Sequence, residues 1–181
     1  MGENTNNTNS SANANNTKKI ALTAMMAAIA VVGSTFSFPV FGSKCAPVQH
    51  MVNVLCAVFL GPGYGLAAAY IASLIRNFLG LGTLLAFPGS MCGALLSGLL
   101  YKKFQTLPAA YVGEIFGTAV IGGMLAFPIA RLAMGNGTAA LFTFVVPFLI
   151  STAGGTIIAA IITGVMKGTG VLASLKTQLA E

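Results

Sequence analysis

The chain contains no aspartate, and its only acids are Glu3, Glu114 and Glu181, set against nine Lys and Arg residues and the single His50. With Glu114 the one interior acid, there is no catalytic carboxylate pair and little from which to build a conventional metal site. Cys45, Cys56 and Cys92 form no Cys-x-x-Cys pair, and their odd number excludes a complete disulfide framework, so they read as free thiols. No Gly-x-x-x-x-Gly-Lys-Ser/Thr loop is present, so the chain has no recognisable P-loop and any ATP drive must come from a partner. No nucleophile, base and orienter stand together, which argues against an enzyme, and no cofactor is expected.

Charge of either sign is scarce. Charged residues make up 7% of the chain and hydrophobic ones 56%, where a soluble domain carries roughly a quarter charged residues. Apolar stretches recur across 20–166 with no soluble-looking insert, so the expected fold is all-α, one integral membrane domain over 18–181. The formal charge of +6 forms no stripe interleaved with aromatics, and no nucleic-acid partner is expected. The cations instead punctuate the apolar runs: Lys18 and Lys19 precede the first, Lys102 and Lys103 lie mid-chain, and Lys167 and Lys176 follow the last. With six transmembrane helices these pairs share one side, which the positive-inside rule makes cytoplasmic, together with both termini.

Residues 1–17, rich in Asn, Thr and Ser, cannot bury a core and read as a disordered tail. Span one is expected over 20–36. Residues 37–50, rich in Pro and Gly, read as an outer loop, and span two over 48–60 is short for a crossing of ~20 residues. Gly61-Pro62-Gly63-Tyr64-Gly65 reads as an inner turn. Spans three to six are expected over 64–79, 88–101, 109–128 and 141–166, with 131–138 as an outer loop.

Polar residues inside such a chain carry the functional information. At a span's centre an Arg costs roughly 2.5–3.5 kcal/mol on insertion scales, so Arg76 needs a partner or a wet cavity. Gln49, His50 and Asn53 lie where the outer loop meets span two, with His50 and Asn53 three apart, on one helical face. With Arg76, Asn77 and Thr83 they gather polarity toward the outer side, as a small-molecule pocket would. Glu114 has three readings, in the order structural partner of Arg76, ligand contact and proton-transfer group. Phe144 and Ser151, in the outer half of span six, offer an aromatic wall and a hydroxyl. Arg131 reads as an interfacial anchor. Ala21, Ala24 and Ala28 give span one a face of small residues suited to close helix contact, either within the chain or with a separate membrane subunit.

Three segments together resemble the ThiW family of substrate-binding S components of energy-coupling factor (ECF) transporters. They are Lys44-Cys45-Ala46-Pro47-Val48-Gln49-His50-Met51-Val52-Asn53, the stretch from Arg76-Asn77-Phe78-Leu79-Gly80 through Leu85-Ala86-Phe87-Pro88-Gly89-Ser90, and Gly113-Glu114-Ile115-Phe116-Gly117-Thr118. The resemblance covers about 18–166. It implies a six-helix bundle of the S-component type in the prokaryotic cytoplasmic membrane that captures hydroxyethylthiazole, the neutral thiazole precursor of thiamine. It further implies docking through Ala21, Ala24 and Ala28 onto a membrane coupling subunit, EcfT, bearing two ABC ATPase subunits. On this reading 37–49 is a lid, and His50, Asn53, Arg76 and Asn77 donate to the ring nitrogen and hydroxyl. The competing expectations are an S component for another vitamin precursor and a self-sufficient proton-coupled carrier using Glu114.

Overall fold

A computed structural model describes residues 3–41 and 43–180. Most of them are helical: α1 (Glu3–Gly33), α2 (Pro47–Phe59), α3 (Pro62–Phe78), α4 (Ala86–Phe104), α5 (Leu107–Phe116), α6 (Gly123–Leu132), α7 (Val145–Gly168) and α8 (Val171–Ala180). α5 and α6 form one rod, because Gly117–Gly122 between them winds as a π-helix. Among the described residues, Asn15–Phe36, Leu107–Leu132 and Val145–Gly168 are long and apolar enough to cross a membrane, and Pro47–Phe59 is a shorter apolar helix.

Local chemistry explains the boundaries. α2, α3 and α5 each carry Pro in the first turn, where the missing N–H would be unpaired anyway. Between α2 and α3 the turn narrows to Gly61, at a φ of 81° that suits glycine. The expected fifth span continues past Pro128, which sits inside α6. The last long helix starts at Val145, because the preceding residues form turns in which Thr143 Oγ1 accepts from the Ala140 N–H. The segment expected as an irregular outer loop holds an antiparallel hairpin, β1 (Phe38–Val40) with β2 (Ser43–Cys45). The stretch expected as a disordered tail begins α1 at Glu3, with no Pro or Gly between Glu3 and Gly33 to interrupt the helix, while Met1 and Gly2 lie outside the described residues. α8 was not expected. Its Leu172, Leu175 and Leu179 recur at helical spacing, and Lys176 hydrogen-bonds the Tyr101 hydroxyl at the end of α4.

The bundle is apolar outside, and its interior combines apolar clusters with an unusual number of buried polar side chains. On α7, Ile157, Ile161 and Val165 are each more than half exposed, while Ser151, Thr152, Thr156 and Thr163 are buried. A water-soluble helix would show the reverse, whereas lipid makes no penalty of exposed Ile and Val. α2 and α4 lie centrally, with α4 packed on α3, on α5 and on the π segment, and α2 packed on α4 and α7.

Close packing of α4 against the α5–α6 rod depends on small residues. A Cβ at Gly113 would meet Ser97 Cα at 2.6 Å, one at Gly117 would meet the Cys92 carbonyl oxygen at 2.6 Å, and one at Gly122 would meet Gly89 Cα at 2.7 Å. The partners on α4 step back by five residues and then by three, eight in all, but the glycines advance by four and then by five, nine in all. In an unbroken α-helix, position 121 would face α4, and it holds Ile121. The π segment absorbs the additional residue and turns Gly122 inward, leaving Ile121 on the outer side at 38% exposed.

Gly117→Ala is therefore expected to lower the thermal midpoint of the purified protein, by the equivalent of about 1–3 kcal/mol of overpacking. Gly164→Ala, with nothing within 4 Å of the added carbon, is the control and is expected to be neutral or slightly stabilising, since Ala favours a helix interior over Gly.

Candidate functional site

Glu114 is 0% exposed, and a carboxylate so placed needs donors. They come from two elements. His50 Nδ1 lies 2.8 Å from Oε1, Asn53 Nδ2 donates to the same oxygen at 3.0 Å, and Thr118 Oγ1 donates to it at 3.1 Å. His50 and Asn53 share one face of α2, and Thr118 sits one turn after Glu114, inside the π segment. Because Oε1 already accepts from Asn53 and Thr118, it carries no proton, and the His50 Nδ1–H donates to it. This leaves His50 Nε2 as the imidazole atom available to a ligand. Gly93 makes the room: a Cβ there would lie 2.8 Å from both carboxylate oxygens.

Arg76, on the last turn of α3, is 3% exposed. It does not touch Glu114, so the direct pair ranked first among the readings of Glu114 is replaced by a relay. Arg76 donates to Gln49 Oε1 at 3.1 Å, Gln49 Nε2 donates to Asn53 Oδ1 at 3.3 Å, and Asn53 donates to Glu114. Every step points its donor toward the carboxylate, so the amide dipoles align between cation and anion and each bond polarises the next. Asn53 Nδ2 also reaches the Ser90 carbonyl at 3.1 Å, and Ser90 Oγ lies 2.9 Å from Ser73 Oγ, which ties α2 and α3 to α4.

A cavity of about 30 Å3 opens beside this relay, lined by Gln49, His50, Arg76, Thr83, Ser151 and Phe148 among others. Such a volume holds about two waters and is too small for an aromatic ring. Two features close it. The Phe148 ring lies across α4 where Gly89 has no side chain, since a Cβ there would be 2.8 Å from Phe148 Cε2. The hairpin covers the cavity through Ser43 and Lys44, and is held by Lys44 Nζ donating to the Gly80 carbonyl at 3.0 Å and by the Ala46 N–H donating to Ser151 Oγ at 2.9 Å.

Of the residues expected at a pocket, Gln49, His50, Arg76, Thr83 and Ser151 line this cavity, while Asn53 and Glu114 lie behind it in the relay. Asn77 serves the backbone, donating to the Ser73 carbonyl at 2.9 Å and the Thr83 carbonyl at 3.1 Å, and so shapes the turn that presents Thr83. Phe144 was expected as the aromatic wall but is packed behind Phe148, ring centroids 6.3 Å apart. Phe148, one helical turn further along α7, takes that place. Ser90, Thr118 and Gly89 were also missed, and the run of small residues on α4 was the signal that could have found Gly89. All three cysteines are free thiols. Among the described residues no three His, Cys, Asp or Glu side chains gather as a metal site.

A family model described as thiamine-precursor transporter protein, ThiW, matches residues 20–169, well over half of the chain. The chain belongs to the ThiW family. As a ThiW protein it is a membrane transporter of a thiamine precursor, and the whole relay and the hairpin above it fall inside the matched residues. The match stops short of α8. No curated protein and no solved structure matches the chain.

Removing the acceptor at the centre of the relay is expected to be severe. Glu114→Leu strands donors of His50, Asn53 and Thr118 and should cost roughly 3–5 kcal/mol, the range for breaking a buried charged pair. Glu114→Gln keeps an acceptor oxygen and should cost clearly less, as read from thermal midpoints of the two variants in detergent.

Proposed function

We propose that this ThiW protein is the substrate-capture S subunit of an ECF-type importer for hydroxyethylthiazole, a six-helix bundle in the prokaryotic cytoplasmic membrane with both termini inside. The observation that carries the reading is Arg76. It lines the cavity, spends one side-chain hydrogen bond on Gln49, and keeps a buried Nε with no acceptor. A buried guanidinium with unspent donors beside a cavity favours a ligand that brings an acceptor. The thiazole nitrogen and the hydroxyl oxygen both qualify, and the hydroxyl can in turn donate to His50 Nε2.

Capture of so small and neutral a molecule at nanomolar strength requires about −12 kcal/mol, near the ceiling of about −1.5 kcal/mol per heavy atom, so nearly complete enclosure is needed. The hairpin fits the role of lid, since its two attachments to Gly80 and Ser151 are single hydrogen bonds that release together with Phe148 to widen the cavity. Gln49, Thr83 and Ser151 would then line the ligand's flanks, while Asn53, Asn77 and Glu114 hold the donors in place.

Support for a docking face comes from α1. Ala21, Ala24 and Ala28 are exposed, whereas Ala27 and Ala30 are buried in the chain's own core with Val52, Cys56 and Ala68. The exposed set is free for a coupling subunit, EcfT, bearing two ABC ATPases. The proton-coupled alternative has an observation of its own: Glu114 Oε1 is committed to three donors, while the buried Oε2 has no hydrogen-bond partner and is the atom that would take a proton.

The reading is tested in vesicles. With EcfT and the two ATPase subunits, thiazole uptake should require ATP, and the protein alone should give none under an imposed proton gradient. Uptake by the protein alone would contradict the proposal. Arg76→Met should weaken thiazole binding at least about tenfold, the loss of one charge-assisted hydrogen bond, and unchanged binding would remove Arg76 from the site.

A further inference from the structure

Two hollows adjoin at the end of the bundle opposite the cavity. One, of about 410 Å3, lies between α1, the α2–α3 turn, the end of α4 and α8, and is lined by Lys19, Lys102 and Lys176 with Gln105 and Tyr101. The other, of about 710 Å3, is an apolar groove between α1 and α8, walled by Met25, Leu55, Phe59, Met166, Leu175 and Leu179, with Lys18 at its edge. Phe59 and Leu179 line both, so the two are continuous.

The charges in the first hollow are unbalanced. Its three lysines come from three different helices, and no carboxylate lines either hollow among the described residues. Lys176 is oriented by the Tyr101 hydroxyl and lies 4.5 Å from the ring centroid, but among the described residues the side chains of Lys19 and Lys102 have no hydrogen bond or ion pair. Lys19 and Lys176 are half-buried, which weakens screening by water and raises the advantage of an anion among them. Ordinary interfacial lysines point away from each other into solvent. Here three of them line one hollow beside a groove of lipid-chain character, the arrangement by which basic pockets between membrane helices hold anionic headgroups.

We propose that this end of the bundle binds one anionic phospholipid, its phosphate among Lys19, Lys102 and Lys176 and its acyl chains in the groove between α1 and α8. The headgroup then links α1 and α4 to α8, a helix whose own residues lie beyond the family match. The groove also includes Ala21, so the lipid borders the exposed alanine face of α1. The site depends neither on the transported ligand nor on any coupling subunit.

Native mass spectrometry of the full-length protein in detergent, offered equimolar phosphatidylglycerol and phosphatidylcholine of the same chain length, tests the proposal. Wild type should retain the anionic lipid over the zwitterionic one by about tenfold. Lys19→Gln with Lys102→Gln, which leaves the Lys176–Tyr101 contact intact, should bring the ratio close to one, while Lys44→Gln on the hairpin should not change it. Excess inorganic phosphate should not displace the lipid. Equal retention of the two lipids by wild type overturns the proposal without reference to any variant. So does an unchanged ratio in the double variant, a ratio lost in Lys44→Gln, or displacement by phosphate, which would leave a bare anion site without a lipid tail.

Discussion

Burying a carboxylate among membrane helices obliges the neighbouring elements to bring donors to it, and much of the arrangement around Glu114 follows from that demand. α2 must present His50 and Asn53 on one face, the π segment must present Thr118, and α4 must pass close by with Gly93, since any side chain there would strike the carboxylate. The counter-charge, Arg76, is held two amides away. One carboxyl oxygen, Oε1, is thereby satisfied while the cation stays at the cavity wall. A direct Arg76–Glu114 pair would commit up to two of the five guanidinium donors to the carboxyl, whereas the relay commits one, to Gln49.

The same demand links packing to the site. The α5–α6 rod can approach α4 only where glycines face it, and the π segment sets those glycines in register while placing Thr118 beside Glu114. Local widening of a helix is often found at functional positions. Here it serves both the fold and the polar network. Across the cavity, Phe148 and the hairpin hold a closed form, with Lys44 and Ala46 making the attachments that would have to yield. Hydrogen bonds are therefore denser behind the cavity, around Glu114, than above it, where single bonds from Lys44 and Ala46 hold the hairpin.

Much of this was legible in the chain. Scarce charge and recurrent apolar runs identified the membrane class, and an Arg and a Glu within such runs marked the polar centre. The spacing of His50 and Asn53 placed both on one helical face, where they meet Glu114. What was not legible depended on helix rotation. Phe144 and Phe148 are one turn apart and equally apolar, and only the gap at Gly89 selects Phe148. The relay through Gln49 was not legible because Arg76 and Glu114 stand on different helices and are joined only through two amides of a third, Gln49 and Asn53 on α2. The hairpin was hidden by its Pro and Gly content, which reads as irregular loop, and α8 by its brevity.

The central claim is that the relay presents Arg76 and His50 to the thiazole precursor of thiamine. Calorimetric titration of the purified protein with hydroxyethylthiazole, with thiamine and the hydroxymethylpyrimidine precursor as competitors, tests it most directly. The account predicts tight one-to-one binding of the thiazole that neither competitor displaces at comparable concentration. Tight binding of a competitor in its place, or no thiazole binding by protein shown to be folded, would contradict it.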